Sequence, residues 1–301
     1  MKETDPKTKG VFPMPTVDKQ DRAIFSFEIF PPKRDMPLDT VYRTLDELTD
    51  LEPDFISVTC GAGGSADGSN RRTIEVASAI RNKYHREGIA HLPCIHFTRD
   101  DVLSMLEELE KNGVRKILAL RGDRVPDLTP KEDFHHASDL VAFIREHAGD
   151  RFQIFAACYP EGHTEAPDLD TDIQNLRRKV DAGVDRLISQ LFFDNEFFYE
   201  FLNKARKAGI TVPVEAGIMP VTNKKQIERM VTLCGATLPR KFQRVLAKYE
   251  SQPEALREAG IAFATEQIVD LLAHGVDGIH LYTMNNSYIA RKISDSIRTL
   301  L

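Results

Sequence analysis

The sequence predicts an α/β fold, a (β/α)8 barrel of the TIM type with extra helices before its last strand. Three observations predict it. Short apolar runs alternate with longer stretches of helical periodicity, about eight such pairs succeed one another, and no Ser/Gly tract, charge block or proline-rich spacer divides them. The alternation starts after a polar leader over 1–21 and runs to the C-terminus, so a single (β/α)8 domain is expected over 22–301.

In chain order the apolar runs predict strands over 24–30, 55–59, 91–97, 116–120, 153–158, 186–191, 212–217 and 278–282. Helical periodicity predicts helices over 38–51, 73–84, 100–112, 138–146, 170–182, 196–208, 224–234 and 287–301. Asn112-Gly113, Ala182-Gly183 and Ala208-Gly209 each put a glycine where a helix should stop. The interval 237–274 breaks the rhythm with two or three further helices, expected as an insertion on the outside of the barrel.

The 301-residue length suits one such barrel, and a net charge of -6 gives no basic field, which excludes nucleic acid as a partner. No apolar run approaches the roughly 20 residues needed to cross a bilayer, and the leader lacks the apolar stretch of a signal peptide. A cytoplasmic protein that does not engage membranes is expected. Cys60, Cys94, Cys158 and Cys234 are widely spaced and form no C-x-x-C pair, so reduced structural thiols are expected. With no H-E-x-x-H and no tight His/Asp cluster, a metal centre is disfavoured.

One acid stands out. In Phe25-Ser26-Phe27-Glu28-Ile29-Phe30-Pro31-Pro32, alternation puts Ser26, Glu28 and Phe30 on one face and Phe25, Phe27 and Ile29 on the other. Apolar surroundings disfavour the charged carboxylate, which suits Glu28 to proton donation. The same setting also suits a structural partner of an Arg or Lys.

In such barrels the working face lies at the C-terminal ends of the strands. Those positions read Glu28, Thr59-Cys60-Gly61-Ala62-Gly63-Gly64, His96, Arg121-Gly122-Asp123, Tyr159-Pro160-Glu161-Gly162-His163, Gln190, Gly217 and Tyr282-Thr283-Met284-Asn285. No lysine closes a strand, since Lys116 opens its own, so a Schiff-base mechanism is disfavoured. The glycines from Gly61 loosely fit G-x-G-x-x-A, but residues 67–72 are too polar and turn-prone to open a packed helix. Close backbone approach to a flat or phosphorylated ligand is the better reading of those glycines. Along 172–180, Ile173, Leu176 and Val180 form a core face beside a polar stripe of Asp172, Asn175, Arg178 and Lys179. Near the working end, Arg178 and Lys179 suit an anion such as a pyrophosphate; a solvated face is the plainer reading. Arg121 and Asp123 suit a cofactor with a polar edge and a phosphate, or form a local ion pair.

Taken together, these motifs resemble the methylenetetrahydrofolate reductase family. The resemblance runs from Ser26–Pro32 through Ser57-Val58-Thr59, His91-Leu92, Ala119–Asp123, Ala137–Leu140, Tyr159–His163, Asn175–Gly183, Gln190–Asp194 and Gly217–Val221 to Leu281–Asn285. It implies a barrel that holds FAD and reduces 5,10-methylenetetrahydrofolate to 5-methyltetrahydrofolate, with NADH or NADPH as donor and the two substrates taking turns. By this resemblance Glu28 is the general acid and Asp123 a catalytic carboxylate near flavin and pterin. The FAD site is implied to include Thr59, Ala62, His91, Leu120, Arg121, Gly122, Asp123, Ala137, Tyr159, His163, Ala166, Asp172, Asn175, Arg178 and Lys179. Substrate contacts are implied for Glu28, Asp123, Gln190, Gln226 and Tyr282, and a homo-oligomer is expected.

The sequence departs from familiar bacterial members at Cys60, His136, Met230 and Asn286, where tyrosine, an aromatic residue, phenylalanine and arginine are common. These departures bear on the shape of the nicotinamide and folate pocket. The chain also stops after the barrel, so feedback by S-adenosylmethionine is not expected. The alternatives are a proline dehydrogenase-like flavin barrel, for which only Arg291 lies near the needed arginine clamp, and a non-catalytic flavin- or folate-binding barrel.

Overall fold

The computed structural model describes residues 22–32, 36–60, 69–124 and 129–301; the expected leader and the loop containing Ala62 lie outside them. Eight strands, β1 (Ile24–Ile29), β2 (Phe55–Val58), β3 (Glu87–Pro93), β4 (Lys116–Leu120), β5 (Gln153–Cys158), β6 (Arg186–Ser189), β7 (Val214–Ile218) and β8 (Gly278–Tyr282), form a closed barrel. Each strand pairs in parallel with the next, and β8 returns to β1 with Glu28 opposite Tyr282. The described helices are α1 (Asp39–Thr49), α2 (Ser69–Asn82), α3 (Arg99–Lys111), α4 (Ala137–Ala148), α5 (Leu169–Asp181), α6 (Asn195–Lys207), α7 (Lys224–Cys234), α8 (Arg240–Tyr249), α9 (Pro253–Ala273) and α10 (Ser287–Ile297).

Alternation along β1 sorts its side chains as expected. Phe25, Phe27 and Ile29 join the large apolar layer shared with the surrounding helices, while Ser26 and Glu28 face into the barrel. Full burial of a Phe or Ile contributes roughly 1.5–3 kcal/mol, so reversing the register of β1 would forfeit several such terms. Inside the barrel, Phe55, Ile89, Leu118, Phe155 and Ile188 form a separate apolar cluster, and the His280 ring stacks on Phe55 at 5.7 Å. Gly113, Gly183 and Gly209 follow α3, α5 and α6 with positive φ, the left-handed conformation that ends a helix.

Three expectations are corrected. The third strand runs four residues earlier than 91–97, because Ile89–Pro93 pair with β4 and residues 94–97 form a buried loop tied to the backbone of Leu120 and Arg121. Gly88 belongs to this strand: a Cβ there would lie 2.6 Å from the Ala77 carbonyl oxygen, so its glycine serves close packing of α2. Secondly, α2 opens at Ser69, inside the polar stretch expected to be loop. A helix's first turn needs no apolar face, and Asn70 is nevertheless buried, its amide reaching Met105 Sδ at 3.2 Å. Thirdly, the extra helices are not an outside insertion. Ile227 of α7 and Phe242 and Leu246 of α8 pack with Leu191, Phe193, Met219 and Val221 just beyond β6 and β7. They therefore sit over the C-terminal end of the barrel, and α9 takes the regular outer position between α6 and α10. No described helix is long and apolar enough to cross a membrane.

Candidate active site

Beyond the ends of β4 and β5, between α4 and α5, lies a cavity of about 490 Å³. Ten of the residues expected around a flavin line it: Leu120, Arg121, Ala137, Tyr159, His163, Ala166, Asp172, Asn175, Arg178 and Lys179. The polar stripe of α5 thus lines an open cavity, with Asp172 and Lys179 withdrawn from solvent and Asn175 and Arg178 exposed at its rim. Asp168 caps α5 by accepting the Thr171 N–H at 2.7 Å, which fixes the helix start where Asp172 can accept the His163 N–H at 3.2 Å. Burial raises the pKa of Asp172 and lowers that of Lys179, whose ammonium donates to the Ala157 carbonyl at 2.6 Å. Arg121 does not pair with Asp123; its guanidinium binds Glu165 in a two-pronged bridge at 2.6 and 2.8 Å, which draws the Glu165 carboxyl down to about 2.

Thr59, His91, Gly122 and Asp123 are not part of this lining. Thr59 accepts the Thr73 hydroxyl at its carbonyl, Gly122 (φ 88°) packs on Pro93, and Asp123 is exposed with its carbonyl accepting from His96 Nε2 at 3.1 Å. His91 stands inside the barrel against Glu28, and Ala62 lies outside the described residues.

Glu28 sits at the barrel mouth with its side chain 13% exposed, 3.5 Å from His91 Nε2 and 3.8 Å from His280 Nε2. Among the described residues its ion-pair neighbours are these two histidines, with no Arg or Lys within ion-pair distance. Burial brings His91 down to about 4, leaving a neutral imidazole beside the acid. The backbone at and just after the acid is clamped from the turn that follows β8: Thr283 Oγ1 donates to the Glu28 carbonyl at 2.6 Å, and the Asn285 amide binds both N–H and C=O of Phe30 at 2.8 and 2.9 Å. Met284 and Asn285 hold this clamp in left-handed backbone, φ 51° and 57°, a costly conformation for two successive non-glycine residues. Tyr282 Oη donates to the Ser189 carbonyl at 2.7 Å, and a Cβ on Gly217 would strike that same carbonyl, so glycine permits the close packing of β6, β7 and β8 here.

Gln190 is half-buried at the end of β6, its side-chain oxygen accepting the Leu191 N–H at 2.9 Å, and Gln226 lies half-buried in the first turn of α7. Of the departures from bacterial members, Met230 packs in the apolar roof, His136 lines the cavity, and Asn286 caps α10 through Ile289 N–H at 3.2 Å. Arg291 reaches the Glu47 carbonyl on the outer surface, so no arginine clamp forms there. Cys94, Cys158 and Cys234 are free thiols and the Cys60 thiol donates to Asn70 Oδ1; burial pushes Cys94 and Cys158 up to about 12, the state of inert thiols.

Sequence reasoning missed a buried polar chain inside the barrel, Arg186, Glu215, Ser26 and His280, linked at 3.2, 3.0 and 2.7 Å. Its signal was a charged residue within the apolar run 212–217 and a serine sharing the face of Glu28.

Comparison with known proteins matches residues 14–298 to the family model of methylenetetrahydrofolate reductase. The chain is 37% identical over 291 residues to methylenetetrahydrofolate reductase (NADH) 1 of Arabidopsis thaliana, covering 92% of this chain and 48% of that protein. To the 5,10-methylenetetrahydrofolate reductase of Escherichia coli it is 35% identical over 272 residues, covering 90% of each. It thus spans about half the length of the plant and yeast relatives and nearly all of the bacterial ones. Among solved structures, an uncharacterized Clostridium thermocellum protein that binds two copies of 5-methyl-5,6,7,8-tetrahydrofolic acid superposes with TM-score 0.63 at 14% identity, covering 93% of this chain and 97% of that one. A 7,8-dihydropteroate synthase from Vibrio fischeri superposes with TM-score 0.52 at 16% identity, covering 93% and 92%; both likenesses concern the barrel fold. On the family match and the extent of these identities, the chain belongs to the methylenetetrahydrofolate reductase family.

Proposed function

We propose that the protein reduces 5,10-methylenetetrahydrofolate to 5-methyltetrahydrofolate with NADH or NADPH as donor, using FAD, the substrates alternating in one site. The observation that carries this reading is an acid, Glu28, held between two imidazoles at the mouth of a barrel whose neighbouring cavity presents Arg121, Arg178 and Lys179. That donor set suits a dinucleotide: three cations for a pyrophosphate, Asn175 and Asp172 for polar groups, and the walls of Leu120, Ala137 and Tyr159 for a flat ring. When bound, FAD supplies the hydride carrier between nicotinamide and folate.

The chain's own residues then supply binding and proton control. Glu28 gives its proton to N10 of the folate as the C–N10 bond of the imidazolidine ring opens, leaving an iminium carbon ready to accept hydride. Neutral His91 beside it adds no positive charge that would draw the proton off early. Asp123, Gln190, Gln226 and Tyr282, near the strand ends and the α7 roof, are the residues we assign to folate contacts. The name of the plant relatives favours NADH as donor.

The test uses purified protein with added FAD. Bound, yellow protein that NADH bleaches without oxygen and that 5,10-methylenetetrahydrofolate then recolours is the expected result. A protein that leaves FAD fluorescence unquenched overturns the reading.

A further inference from the structure

A serine hydroxyl carries one hydrogen, and inside this barrel that limit couples two carboxyl groups that do not touch. Ser26 Oγ lies 3.0 Å from Glu215 Oε2 and 2.7 Å from His280 Nδ1, and all three residues are fully buried. Glu215 Oε1 accepts from Arg186 Nε at 3.2 Å, while His280 Nε2 lies 3.2 Å from Ser57 Oγ and 3.8 Å from Glu28 Oε2. Burial raises the pKa of Glu215, while the Arg186 guanidinium on Oε1 and the Ser26 hydroxyl on Oε2 oppose that shift; with Glu215 ionised, Ser26 gives its one hydrogen to Oε2 at 3.0 Å rather than to the Ile279 carbonyl at 3.3 Å. Ser26 then accepts from Nδ1–H, and His280 turns the lone pair of Nε2 toward the Ser57 hydroxyl and Glu28. If the group at position 215 donates instead, Ser26 is free to give its hydrogen to Nδ1, which at 2.7 Å is nearer than the Ile279 carbonyl at 3.3 Å, and Nε2 then carries an N–H toward Ser57 and Glu28. A lone pair favours the carboxylic acid; an N–H favours the carboxylate.

We propose that Glu215, acting through Ser26, fixes the tautomer of His280 and thereby keeps the proton on Glu28. Ser26, Glu215 and His280 are positioning residues, and the proposal rests on the reading of Glu28 as proton donor. The 3.8 Å gap closes to a hydrogen bond with a side-chain movement of about 1 Å, as catalytic contacts commonly tighten on substrate binding. The charged and titratable groups facing Glu28 and His280 among the described residues are His91 on β3, Arg186 on β6, Glu215 on β7 and Tyr282 on β8. Arg186 pins Oε1 as an acceptor, which leaves Oε2 as the atom that addresses Ser26.

Glu215→Gln tests this directly, because Arg186 holds the amide oxygen and turns the amide N–H toward Ser26. Nitrogen-15 NMR of labelled histidine in the flavin-loaded protein is expected to show His280 passing from the Nδ1–H to the Nε2–H tautomer. The alkaline limb of the folate half-reaction is expected to move about one pH unit lower, a tenfold loss at fixed pH on that limb. Ser26→Ala cuts the link, so the His280 tautomer should then be the same with Glu or Gln at 215, and this pair serves if Glu215→Gln alone folds poorly. An unchanged tautomer, or equal slowing of both half-reactions, overturns the proposal. Failure of the underlying reading shows separately, as a Glu28→Gln protein slowed equally in both halves.

Discussion

His91 is neutral in the folded protein down to about pH 4, whereas the imidazole of the unfolded chain takes up a proton below about 6.5. Between those values the unfolded state binds more protons, so stability is lost as pH falls from 6.5 toward 4. The full difference is on the order of 3 kcal/mol. Replacing His91 with Asn should therefore flatten the fall in urea midpoint across that window, and an unchanged slope would show that His91 is charged beside Glu28. Such details were partly legible in the sequence. Period-two alternation gave the direction of Glu28, but the tie between Ser26 and Glu215 spans 189 residues and exists only once the barrel closes. His91 was expected in a flavin lining; the fold places it inside the barrel, 3.5 Å from the acid, a neighbour that no local pattern named.

At the scale of elements, α5 carries the strongest sequence signal, since its core face and polar stripe were both readable from spacing. What spacing left open was whether the stripe meets solvent or a ligand, and the cavity between α4 and α5 favours the latter. Lys179→Met keeps the stem and removes the charge. Its loss should weaken FAD binding about ten- to a hundredfold while changing riboflavin, which has no phosphate, far less. Fluorescence titration of both flavins reads this out, and equal losses would assign Lys179 to packing against Ala157 instead. Helices α7 and α8 were foreseen, but not their position. Their apolar faces match residues of the β6 and β7 exit loops, and nothing local in the sequence names that partner.

At the scale of the molecule, eight repeated strand and helix signals were enough to read a barrel. Closure then sets the cavity at β4 and β5 and the acid at β1 and β8 on one end of the barrel. The sequence resemblance and the family match agree on the family to which the barrel belongs. The central claim is that Glu28 delivers the proton that opens the folate ring. Stopped-flow measurement of the two half-reactions of Glu28→Gln, loaded with FAD, tests it most directly. The account predicts that reoxidation by 5,10-methylenetetrahydrofolate falls by about a hundredfold or more relative to reduction by NADH. A ratio equal to that of the unaltered protein would contradict it.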